Sequence, residues 1–141
     1  MAKYFTLKEM TYSDTAKKYG IDNTPPAGVI VHLNELMLFL DPLREAWGSP
    51  ITVTSGYRCE YLNRKVGGSS TSVHKRGWAV DLVPKNGKMR EFKKFVKEYL
   101  KDKKYDQCLI EKNSKTGSEW VHIGLYSNTR LQRKQMKIMV V

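Results

Sequence analysis

The sequence predicts an α+β fold: one small domain with a mostly antiparallel sheet and flanking helices. Apolar residues recur at helical spacing in the front third of the chain, at Val29, Leu33, Leu36, Leu40, Leu43 and Trp47. Behind them come short segments rich in β-branched and aromatic residues, with one further helical pattern in between, and that ordering suits segregated helices and strands. The size agrees with this, since 141 residues with 40% apolar and 28% charged side chains can close one core without disulfides. No repeat or linker divides the chain, so residues 1–141 are read as one domain with a basic C-terminal tail at about 127–141.

The elements follow in order. Thr6 and Glu9 have capping-box spacing, and Ser13-Asp14-Thr15 opens a second short helix that Gly20 stops. Asp22-Asn23-Thr24-Pro25-Pro26 is a loop, after which the long amphipathic helix runs to Gly48. Pro42 is expected to kink that helix or divide it at Asp41, because proline removes a backbone donor and crowds the preceding turn. Ile51-Thr52-Val53-Thr54-Ser55 alternates as a half-buried strand ended by Gly56. A short helix over 59–65 leads into a glycine- and serine-rich stretch over 66–72. Strands are expected over 78–83, 107–111 and 120–125, and a helix over 88–101 on the spacing of Phe92, Phe95, Val96, Tyr99 and Leu100.

Charge and cysteine content narrow the class. Twenty-five Lys and Arg against 14 Asp and Glu give +11, which attracts anionic partners such as nucleic acid, anionic lipid or acidic wall polymers. Lys93, Lys94, Lys97, Lys101, Lys103 and Lys104 read as a solvated helix face, and aromatic residues do not interleave with the basic ones as in a nucleic-acid module. A nucleic-acid partner is therefore not expected. Cys59 and Cys108 are too far apart in sequence for a C-x-x-C pair and are read as reduced thiols. The first residues lack the apolar run of a secretory signal, and no stretch approaches the ~18 apolar residues of a membrane span. The expectation is a monomer that is cytoplasmic on synthesis.

Three histidines occur in the chain. His32 lies among the apolar residues of the long helix and is read as a core or helix-surface residue outside any site. His74 and His122 stand beside polar, glycine-rich turns. Asp81 interrupts the strand Trp78-Ala79-Val80-Asp81-Leu82-Val83, sharing a face with Ala79 and Val83, and a carboxylate in that setting needs a partner or a metal. His74 can fold back to it across the turn at Gly77. In Glu119-Trp120-Val121-His122, a regular strand sends Glu119 to the face opposite His122, so Glu119 shares the site only from a turn or an irregular strand start. Two imidazoles and a carboxylate leave a fourth position open around zinc, as in catalytic sites, although the same set also holds non-haem iron.

Ser55-Gly56-Tyr57-Arg58, Ser72-Val73-His74-Lys75-Arg76-Gly77-Trp78-Ala79-Val80-Asp81 and Glu119-Trp120-Val121-His122 together resemble the zinc DD-peptidases, which include D-alanyl-D-alanine carboxypeptidases and phage endolysin peptidases. The resemblance implies a Hedgehog-type α+β fold with one Zn2+ per chain on His74, Asp81 and His122. It further implies Glu119 as general base and Arg58 as the cation that polarises the scissile carbonyl, a role suited to developing oxyanion charge. Ser72 and Trp120 are read as supporting residues, and the tail after Tyr126 inherits nothing from the family. The implied substrate is a peptidoglycan stem peptide cut at the terminal D-alanine or at an internal L-to-D junction, with the wall reached after release, as for an endolysin. An inactive zinc-binding wall-recognition domain is the alternative reading, and a basic nucleic-acid-binding protein the more remote one.

Overall fold

A computed structural model describes residues 2–141. Thr6 Oγ1 accepts from Glu9 N and caps α1 (Leu7–Thr11); Ser13 caps α2 (Asp14–Tyr19), which Gly20 ends in the left-handed region. The helix α3 (Ala27–Trp47) buries Leu33, Leu36, Met37, Leu40 and Leu43 along one stripe, a burial that contributes about 2 kcal/mol per side chain. The expected break at Pro42 is not found, and α3 runs uninterrupted to Gly48. Pro42 and Leu38, whose carbonyl loses its partner, both lie on the exposed face, where water can satisfy that carbonyl.

The sheet has the order β1-β2-β4-β3-β5, from β1 (Ile51–Ser55), β2 (Ala79–Pro84), β3 (Gln107–Lys112), β4 (Glu119–Gly124) and β5 (Gln135–Val140). Pairings β1–β2, β2–β4 and β3–β4 are antiparallel, and β5 lies parallel to β3. The α+β class and mostly antiparallel sheet are thus as expected. Between the strands come α4 (Glu60–Lys65), a 3-10 turn at Val73–Arg76, and α5 (Met89–Leu100). The basic C-terminal segment contains a strand that its sequence does not announce. Residues 135–140 form the edge strand β5, with Gln135 N bonded to Asp106 O at 2.8 Å.

The sheet has two unlike faces. Val80 and Leu82 of β2, Val121 and Ile123 of β4, and Cys108 and Ile110 of β3 are buried in one core with α3 and with Phe92, Val96 and Leu100 of α5. Their alternates Asp81, His122, Trp120, Leu109 and Glu111 line the opposite face. Strand alternation therefore fills one side with hydrocarbon and leaves the other for polar chemistry.

Candidate metal centre

His74 reaches the open face through a turn whose shape is specified locally. Ser72 Oγ accepts from His74 N, and Gly77 ends the turn at φ 77. A side chain at Gly77 would be strained in that conformation and would press on Val29 Cγ1 at 3.0 Å. From α3, His32 stacks on Trp78 at 4.0 Å and its Nδ1 meets Arg76 O at 2.7 Å, so it lies outside the cluster and pins the turn that carries His74.

The segment Ser55-Gly56-Tyr57-Arg58 follows a register shift in β1 that pairs Ser55 with Asp81 and bends the strand end toward the site. Gly56 is needed for close approach: a Cβ there would collide with the Met10 carbonyl. Tyr57 N donates to that carbonyl at 2.7 Å, and Asn23 Nδ2 donates to Tyr57 O while its Oδ1 accepts from Cys59 N. Gly56 O in turn lies 2.7 Å from His74 Nδ1. Since a carbonyl only accepts, Nδ1 carries the proton and Nε2 presents its lone pair to the open face.

Asp81 and His122 face each other across the β2–β4 ladder. Asp81 Oδ1 lies 3.0 Å from His122 Nδ1 and 3.4 Å from His74 Nε2, and the imidazole centroids are 5.1 Å apart. One ligand-type atom from each of the three residues falls within 4.8 Å of the others. His74 and His122 are 2% and 8% exposed. Burial pushes the His74 pKa down, outweighing the Asp81 charge, so the ring stays neutral. Burial works to raise the Asp81 pKa, but His74 and His122 hold it below its ordinary value, so it stays ionised. Two imidazoles and an ionised carboxylate, converging within reach of one ion, with the His74 Nε2 lone pair free, fit zinc.

Arg58 N donates to His74 O at 3.2 Å, and its guanidinium donates to Ser72 Oγ at 3.3 Å. Its Nε is buried without a partner among the described residues. Burial lowers the Arg58 pKa against the countering charges of Asp81 and Glu111. Arg58 lines a cavity of about 580 Å³ together with His74, Asp81, Glu111 and His122.

Glu119 is not among those lining residues, and its expected place in the site needs correction. It opens β4 in regular pairing with Lys112, so strand alternation turns it to the helix-covered face, where its carboxylate bonds Lys93 of α5 at 2.6 Å. That bond lowers its pKa. The carboxylate on the metal face is Glu111, directly across from Trp120 and two positions along β3 from Leu109, the partner of His122. Burial, aided by the Asp81 charge, raises the Glu111 pKa, while His122, the hydrogen bond with Trp120 and Arg58 pull it back. Sequence reasoning passed over Glu111 because it sits in an unremarkable alternating strand; the β3–β4 hairpin register was the signal that would have found it.

The loop at 126–134 also reaches the cavity, through Ser127, Asn128, Thr129, Leu131 and Arg133. Asn128 Nδ2 donates to Thr71 O at 2.8 Å, and Arg133 grips the buried Asp106 with Nε–Oδ1 at 2.7 Å and Nη2–Oδ2 at 2.8 Å. The basic tail thus supplies one wall of the site.

No curated protein matches the chain. The family model described as Peptidase M15 matches residues 3–124, from the first helix cap to the end of β4 and short of the loop and β5.

Proposed function

The chain belongs to the peptidase M15 family, whose members are zinc D-Ala-D-Ala carboxypeptidases, and from that premise we propose that it hydrolyses amide bonds of peptidoglycan stem peptides. The finer reading is a phage or prophage lysis enzyme cutting at the terminal D-alanine or at an internal L-to-D junction. The observation that carries the proposal is the convergence of His74, Asp81 and His122 on one face, with one ligand-type atom of each within 4.8 Å of the others.

His74 Nε2, His122 Nδ1 and an Asp81 oxygen would hold the zinc. When bound, the ion supplies Lewis acidity, polarising a carbonyl and lowering the pKa of water toward about 7. The protein's own groups do the rest. Arg58, which lines the same cavity, meets the charge that develops on the scissile carbonyl oxygen. Glu111, near His122, Asp81 and Arg58 and with its pKa raised, takes the proton of the attacking water and passes it to the leaving amine, as a general base tuned toward neutrality does. Gly56 O keeps His74 in the tautomer the metal requires.

The test is metal analysis joined to murein digestion. The purified chain is expected to hold about one zinc, which His74→Ala, Asp81→Ala and His122→Ala each lose. The zinc-loaded protein should release free amines from murein. Undiminished zinc in His74→Ala would overturn the centre; zinc without amide cleavage in any murein type would favour a wall-recognition domain instead.

A further inference from the structure

The sheet is unevenly covered. On the core side α5 packs over β2 and β4, while β5, the edge strand beyond β3, leaves its side chains exposed. The β3–β5 register sets Ile138 beside Ile110 and Val140 beside Lys112 on that side. A groove of about 320 Å³ results, lined by Ile110, Ile138, Met139 and Val140, by the cations Arg90, Lys93, Lys94, Lys97 and Lys112, and by the two carboxylates Glu111 and Glu119. Ile138 is 72% and Val140 69% exposed, so apolar side chains stand in water along an edge strand. Of the five cations, Lys93 is paired with Glu119. Arg90, Lys94, Lys97 and Lys112 have no ion-pair partner among the described residues.

A contiguous exposed apolar strip marks a docking surface, and the adjoining charge selects its occupant. A second copy seated on the groove would set these cations against their own equivalents, a like-charge contact that disfavours self-association. An anionic polymer such as nucleic acid or a wall polyphosphate would meet the cations but leave Ile138 and Val140 in water. An anionic bilayer answers both features, with headgroups for the lysines and an acyl boundary for the aliphatic side chains. We propose that the face made by β5 and the basic edge of α5 docks onto an anionic lipid surface. The metal cavity opens on the opposite face of the sheet, so the docked protein keeps that cavity directed away from the lipid. The inference stands apart from the peptidase reading and is tested without turnover.

Sedimentation of the full chain with vesicles separates the outcomes. Binding is expected to vesicles of phosphatidylcholine with phosphatidylglycerol, to weaken as salt rises, and to be absent with phosphatidylcholine alone. Lys94→Gln with Lys97→Gln should weaken partitioning about 30-fold, from roughly fivefold per cation near a charged surface. Ile138→Ser with Val140→Ser, a change of exposed side chains checked for folding by thermal melting, should weaken it about tenfold, as the loss of inserted aliphatic groups requires. Equal binding to both vesicle types, no binding to either, or undiminished binding by both double variants would overturn the proposal. So would a concentration-dependent dimer that the Ile138 and Val140 changes abolish, since the strip would then belong to a second copy.

Discussion

Replacing Glu111 and Glu119 separately by glutamine tests which side of the sheet carries the proton transfer. Glu111→Gln keeps the side chain's volume and removes a base beside His122, Asp81 and Arg58. General-base catalysis is worth about 10²–10⁴ in rate, or roughly 3–5 kcal/mol of transition-state stabilisation, so kcat is expected to fall by that factor with little change in KM. Glu119→Gln removes only the 2.6 Å pair with Lys93, whose side chains are 28% and 32% exposed. Such a pair contributes at most about 1 kcal/mol, so melting is expected to drop by about 4 °C at most, with kcat unchanged. Both variants should keep a full complement of zinc, because neither carboxylate belongs to the three-residue cluster. The assay is amine release from murein by the zinc-loaded proteins, followed across pH. Activity of the unaltered protein should rise with pH through a limb displaced above the usual carboxylate range, since burial raises Glu111, and Glu111→Gln should lose that limb. Near-normal turnover in Glu111→Gln, with a hundredfold loss in Glu119→Gln, would instead make Glu119 the base and require the start of β4 to turn over in the working enzyme.

Acid should destabilise the metal-free protein. The folded pKa values of His74 and Asp81 are both depressed, so the unfolded chain binds more protons and stability falls as pH drops, first below about 6.5 for the histidine and then below about 4 for the aspartate. Thermal melts between pH 7 and 5 should show the histidine part, shallower in His74→Asn, whose amide can still donate to Gly56; a flat profile in the unaltered protein would contradict it. Arg133→Ala strands the buried Asp106 carboxylate, which Arg133 holds ionised against the upward pull of burial. Stability measured in urea should fall by about 2–3 kcal/mol, below the range for fully buried pairs because the arginine is partly exposed. Double substitution with Asp106→Asn should recover part of that loss, and no recovery would mean the charge pair is not its source.

What could be read along the chain was what local chemistry specifies. The caps Thr6 and Ser13, the 3.6-residue spacing from Val29 to Trp47, and the β-branched run Ile51–Ser55 each act within a few residues, and each appears where it was expected. Asp81 was legible for a related reason, since an ionised carboxylate in an apolar strand has few uses other than pairing or ligation. Glu119 and Glu111 were not resolvable this way. Side chains alternate with a period of two, and only the pairing of Leu109 with His122 and Lys112 with Glu119 decides which carboxylate shares the metal face. α3 is not divided at Pro42, because the cost of a proline depends on whether the freed carbonyl meets water, a matter of which face of the helix is packed. The strand β5 was not legible because it gains its backbone partners from β3, more than twenty residues earlier and in the parallel sense. Nothing within 127–141 encodes that neighbour, since the hydrogen-bonding edge that β5 occupies belongs to β3, whose other edge is paired with β4.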